Sequence, residues 1–131
     1  MDTIPAFTVS LVDIIAYLKN NPDIPNYDKL EEFFIRDDGK FKFSPSAIAI
    51  HPFTGDIYIT SSVGKLMVVL NAEGQLLYIE KLKKSIHPQP EGLCFDRQGN
   101  MYIANEGKDE AAFIYKYNYH PWPTILHSLL F

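Results

Sequence analysis

The sequence predicts a mainly β fold: a partial β-propeller of about two four-stranded blades plus part of a preceding one, with a short two-helix N-terminal segment. Three observations predict it. From Phe41 onward, short apolar runs of strand composition follow a period of two. Clusters containing Gly, Asn and Asp punctuate those runs, as hairpin turns require. Finally, the stretch Ser46 to Ser62 returns as Glu91 to Glu106, at an offset of 45 residues that becomes 44 after the turn. A repeat of about 40 to 45 residues carrying four short strands is the sequence signature of propeller blades.

Taken in order, Thr3 to Ser10 reads as a strand that Pro5 confines to an edge or an end. Ser10-Leu11-Val12-Asp13 resembles a capping box, and Leu11, Ile14, Ile15 and Leu18 then share one helical face until Asn20-Asn21-Pro22 stops the helix. A second helix is expected from Tyr27 to Ile35, with Leu30, Phe33 and Phe34 as its apolar side and Asp37-Asp38-Gly39 as its stop. Ala47-Ile48-Ala49-Ile50 and Ile57-Tyr58-Ile59-Thr60 then form a hairpin across the turn His51 to Asp56. Lys65 to Leu70 and Gln75 to Lys81 continue the meander.

The second pass begins after the loop Lys83 to Gln89. Leu93-Cys94-Phe95 and Met101-Tyr102-Ile103-Ala104 make its hairpin across Asp96-Arg97-Gln98-Gly99-Asn100, and Phe113 to Tyr117 matches Leu66 to Leu70. The organisation expected is one partial propeller domain over residues 1–131. Within it, 1–40 form an outer strand plus helical insert, 41–82 a blade, and 83–131 a blade plus an atypical tail from about His120. Propellers close with roughly four to eight blades, and this length supplies about three. An open array would leave sheet edges and an apolar face uncovered. The expected partners are therefore missing N-terminal blades or other copies of the chain, with a compact two-sheet packing as the alternative. The fragment reading is preferred, because Met1 starts directly in what reads as an outer strand.

Composition bounds the function. Hydrophobic residues make up 47% and charged residues 21% of 131 residues, which is globular. The net charge of −4 and the lack of a basic stripe argue against a nucleic-acid partner. The N-terminus has no export signal, and no apolar run approaches the ~20 residues that span a bilayer. The single cysteine, Cys94, has no partner for an internal disulfide, and its neighbours Leu93 and Phe95 suggest a buried structural thiol.

The hairpin Pro90 to Glu106 carries an acid at each end, and antiparallel pairing brings Glu91, Asn105 and Glu106 to one edge of the sheet. Hard oxygen ligands of this kind suit Ca²⁺, which needs six to eight of them, so other blades would complete the shell. The matching positions of the first copy are Ser46, Ser61 and Ser62, whose hydroxyls are weak ligands. The alternative is that Glu91 caps backbone amides while Glu106 is a solvated loop acid. His51, matched by Asp96 in the second copy, is expected to serve turn hydrogen bonding. His87, His120 and His127 have no zinc-building spacing, and no nucleophile elbow, phosphate loop or Ser/His/Asp set stands out.

The pairing of PSAIAIHPFTGDIYITSS with QPEGLCFDRQGNMYIANEG resembles the SdiA-regulated β-propeller family, over about Ile4 to Tyr119. The resemblance implies a bacterial cell-envelope protein, at the plasma membrane or in the periplasm, with a membrane-surface association and a full domain roughly twice this length. It also implies calcium-linked roles for part of the family and no firmly assigned reaction. The function expected is a non-catalytic envelope propeller binding calcium or a small ligand at its channel. The alternatives are a calcium-dependent hydrolase of the phosphatase or lactonase type, in which the ion would act as Lewis acid, and a truncated reading frame without independent function.

Overall fold

The computed structural model describes residues 16, 17, 19, 20, 43–107 and 111–120. Seven strands fall in two antiparallel sheets. The first has the order β1-β2-β3-β4, with β1 Pro45–Ile50, β2 Ile57–Ser61, β3 Leu66–Leu70 and β4 Leu76–Lys81. The second has the order β5-β6-β7, with β5 Pro90–Phe95, β6 Met101–Asn105 and β7 Phe113–Tyr117. The expected strands of both passes are therefore present, three of them in the second sheet among the described residues. Residues 16, 17, 19 and 20 are helical, and burial against β4 raises the pKa of Tyr17, opposed by a hydrogen bond with the Ile79 backbone. The strand from Thr3, most of the first helix, the second helix and the tail beyond His120 lie outside the described residues. Among those described, no helix is long and apolar enough to cross a membrane.

The two sheets repeat each other in register as well as in sequence. Ile57 pairs with Leu70 and Ser61 with Leu66 in the first; Met101 pairs with Tyr117 and Asn105 with Phe113 in the second. Both first strands carry a bulge at the same place. Pro45 pairs with Ser61 and Ala47 with Thr60, leaving Ser46 extra; Pro90 pairs with Asn105 and Gly92 with Ala104, leaving Glu91 extra.

One turn design recurs at the opposite ends of the strands. The Asp96 carboxylate accepts from the N–H groups of Gln98 and Asn100 at 3.0 and 2.9 Å, and Asn71 Oδ1 accepts from those of Glu73 and Gln75 at 3.0 and 2.9 Å. In the His51 turn, one residue longer, Nδ1 takes the acceptor role for Phe53 and Thr54. A side-chain acceptor thus satisfies the backbone donors that a tight turn strands. The turn role expected of His51 is the one observed.

Strand alternation gives each sheet two faces, and the sheets stack with unlike faces together. Tyr58, Met67 and Val69 of the first sheet meet Leu93, Phe95, Met101, Ile103 and Tyr117 of the second, and Leu82 closes the cluster. The repeat equivalents of that second set are Ile48, Ile50, Ile57, Ile59 and Leu70, which occupy the other face of the first sheet. There Ile57, Val68 and Leu70 form a separate core with Phe43, Ile59 and Leu76. The Ser46 hydroxyl donates to the Pro90 carbonyl at 2.9 Å, tying β1 to β5. At the turn end, the rings of His51, Phe53, Phe95 and Tyr119 pack within 4.9–5.5 Å of their neighbours and staple the two sheets again.

Cys94 departs from expectation: it is exposed. Leu93 and Phe95 do point into the inter-sheet core, but alternation turns the residue between them to the second sheet's other face. No described residue covers that face well enough to bury Cys94.

Candidate functional site

The hairpin β5–β6 places its two acids as the pairing requires. Glu91 occupies the bulge at the start of β5, and a bulge re-aims the side chain it carries. Glu106 follows β6 directly, its N–H donating to the Gln89 carbonyl at 3.0 Å. Both side chains are exposed. The Gln89 amide joins them: its Nε2 donates to Glu91 Oε1 at 3.3 Å and to Glu106 Oε2 at 3.0 Å. One neutral donor shared by two carboxylates holds like charges together at an edge where water otherwise screens them.

Asn105 sits beside this pair but turns inward. It is 2% exposed; its Oδ1 accepts from the Gln89 N–H at 3.4 Å, and its Nδ2 donates to His87 Nδ1 at 3.1 Å. His87 is itself fully buried and its Nε2 bonds the Tyr117 hydroxyl. With Nδ1 accepting, the proton belongs on Nε2, so the ring is a neutral bridge between β6 and β7. Burial pushes the His87 pKa down to about 4, against the upward pull of the Asn105 hydrogen bond. Burial also raises the Tyr117 hydroxyl to about 12, with Tyr115 adding to it.

In the first sheet, two of the three equivalent side chains, those of Ser46 and Ser61, are engaged in the fold. Ser46 bonds the Pro90 carbonyl and Thr60, and the buried Ser61 hydroxyl donates to the Val63 carbonyl at 2.8 Å. The asymmetry between serines and acids is thus one of role as well as of chemistry. Asp96, matching His51, is spent on its turn. Desolvation acts to raise its pKa, but the Asn100 side chain and backbone, the Tyr102 hydroxyl and the Gln98 amide outweigh that and hold it below the usual range. A pocket of about 420 Å³ lies at the β3–β4 turn, lined by Tyr17, Asn20, Glu73 and Gln75, and does not include the acids.

Two residues of this edge follow from no motif. Gln89 has a faint signal, since it precedes Glu91 by two positions and alternation favours a common side. His87 has none, because its partners are 18 and 30 residues away along the chain. Two carboxylates cover only part of the six to eight oxygens of a calcium shell. Among the described residues, no three His, Cys, Asp or Glu side chains converge as a metal-holding group. Water or further chain would supply the remaining positions, with Glu91 and Glu106 as the anionic part.

The chain matches the family described as SdiA-regulated over residues 28–111, which is more than half its length. It belongs to that family, as the paired PSAIAIHPFTGDIYITSS and QPEGLCFDRQGNMYIANEG stretches lead one to expect. No curated protein matches the chain.

Proposed function

We propose that the chain supplies two consecutive blades of a β-propeller and acts as a non-catalytic binding module of the cell envelope. In this reading Glu91 and Glu106 offer carboxylate oxygens to calcium or another small cationic ligand. The observation that carries it is the convergence of two solvent-facing carboxylates on the Gln89 amide at a bulged sheet edge. The blade reading is supported by two sheets with the same register, the same bulge and the same turn, stacked with equivalent faces pointing one way. The envelope setting rests on the family resemblance. A hydrolytic role would need a base at the acids, and the histidine nearest them in the fold, His87, is neutral and committed to Asn105 and Tyr117.

Calorimetric titration of calcium chloride into the protein tests the site. Binding is expected, weakened about tenfold or more by Glu91→Gln and by Glu106→Gln, since each removes one of few anionic ligands. Unchanged affinity in both variants removes the site. Turnover of phosphoesters or lactones that the same variants abolish would replace binding with hydrolysis.

A further inference from the structure

Gln89 owes its place between the two acids to side chains that lie behind it. Its backbone is held at both polar groups. The N–H donates to Asn105 Oδ1 at 3.4 Å, and the carbonyl accepts from the Glu106 N–H at 3.0 Å. Asn105 presents Oδ1 there only when its amide is turned with Nδ2 towards His87. His87 enforces that choice: its Nδ1 accepts from Asn105 Nδ2 at 3.1 Å, while its Nε2 is engaged by the Tyr117 hydroxyl. Reversing the Asn105 amide would set its NH2 against the Gln89 N–H. With His87 0% and Asn105 2% exposed, no solvent relieves that clash.

At the outer end of this chain of bonds, the Gln89 amide takes one oxygen from each acid, Oε1 of Glu91 and Oε2 of Glu106. The second oxygen of each carboxylate accepts no hydrogen bond from the described residues. We propose that His87 and Asn105 are positioning residues of the carboxylate pair: through Gln89 they fix one oxygen of each acid and leave the other for a single cation. The inference rests on the reading of Glu91 and Glu106 as a cation site, and it adds residues that hold the site without touching the ion. Keeping two like charges together before the ion arrives removes an ordering cost from binding. Groups that orient metal ligands in this way are worth about 10–100-fold in affinity.

Side-chain amide NMR relaxation reads the clamp without any ligand. The Gln89 Nε2 group should be ordered in the wild type. His87→Leu removes the acceptor that orients Asn105, so the Gln89 amide should become as mobile as that of a solvent-exposed glutamine. His87→Asn also loses the Tyr117 bond but keeps an oxygen near the place of Nδ1, and should retain most of the order. A merely structural His87 would make those two variants alike. Asn105→Ala should release Gln89 as well, and decides the matter if His87→Leu does not fold. Ile103→Ala weakens the core and should leave the Gln89 signal unchanged. Calcium chloride titrated into the same proteins should bind about tenfold more weakly to His87→Leu and Asn105→Ala, with His87→Asn close to the wild type. The proposal is overturned by a Gln89 amide that is mobile in the wild type or ordered in folded Asn105→Ala. It is overturned equally by a calcium affinity that persists once Gln89 is released. A wild type that binds no calcium while Gln89 is held through His87 removes the cation reading and supports the clamp alone.

Discussion

Two buried ionisable side chains set the pH dependence of this fold, in opposite directions. His87 is held neutral, its pKa pushed from 6.5 down to about 4 by burial. Between those values the unfolded chain binds more protons than the folded one, so stability falls as pH drops through the window. Glu80 is fully buried on β4, and desolvation raises its carboxyl from 4.5 to about 8. There the folded chain binds more protons, so stability falls as pH climbs from about 4.5 towards 8. The contributions oppose each other where the windows overlap. Urea unfolding across pH should therefore show a plateau from about 4.5 to 6.5, with loss on the alkaline side. Glu80→Gln should remove the alkaline loss, gaining on the order of a few kcal/mol at pH 8. A variant as pH-sensitive as the wild type above pH 6.5 would show that Glu80 is not the group responsible.

The turns show what an element demands of single positions. Gly55 and Gly99 occupy equivalent turns with φ of 75° and 84°, where a side chain is strained. Their surroundings differ. A Cβ on Gly55 would meet only Ala72 Cβ at 3.9 Å, whereas one on Gly99 would lie 2.9 Å from Phe53 Cε2 and 3.1 Å from Tyr119 Cγ. Gly55→Ala should cost about 1 kcal/mol, the conformational penalty alone. Gly99→Ala should cost about 2–4 kcal/mol, because it also disturbs the ring cluster joining the sheets. Equal costs in denaturant unfolding would mean that the cluster yields freely.

Strands and turns were legible in the sequence because period-two runs and Gly-containing turns are local signals, and the 45-residue offset aligned the pairing of one sheet with the other. Ser46 and Glu91 as bulges were not legible, since an extra residue leaves the apolar pattern of a short strand intact. The meeting of Glu91 and Glu106 at one sheet edge was legible, because antiparallel pairing brings the two ends of the hairpin together. The inward turn of Asn105 depends on His87, which reaches it from outside the hairpin.

At the scale of the molecule, burial depends on which face a strand position presents. The exposure of Cys94 follows from this, and neighbouring side chains could not reveal it. The same asymmetry yields a paired test on β6 and β7. Ile103 is fully buried between the sheets, while Ile114, on the opposite face of the same sheet, is 67% exposed. Truncating a buried isoleucine removes its transfer free energy and leaves a cavity, so Ile103→Ala should cost about 2–5 kcal/mol. Against a total stability of about 5–15 kcal/mol, that loss should unfold both sheets in one transition, since they share a core. Ile114→Ala should change the stability of dilute protein by less than about 0.5 kcal/mol. A cost for Ile114→Ala that is already large at high dilution would mean that this face is covered within a single chain. A large dilute cost for Ile103→Ala with none for Ile114→Ala would place the core on one side of the second sheet.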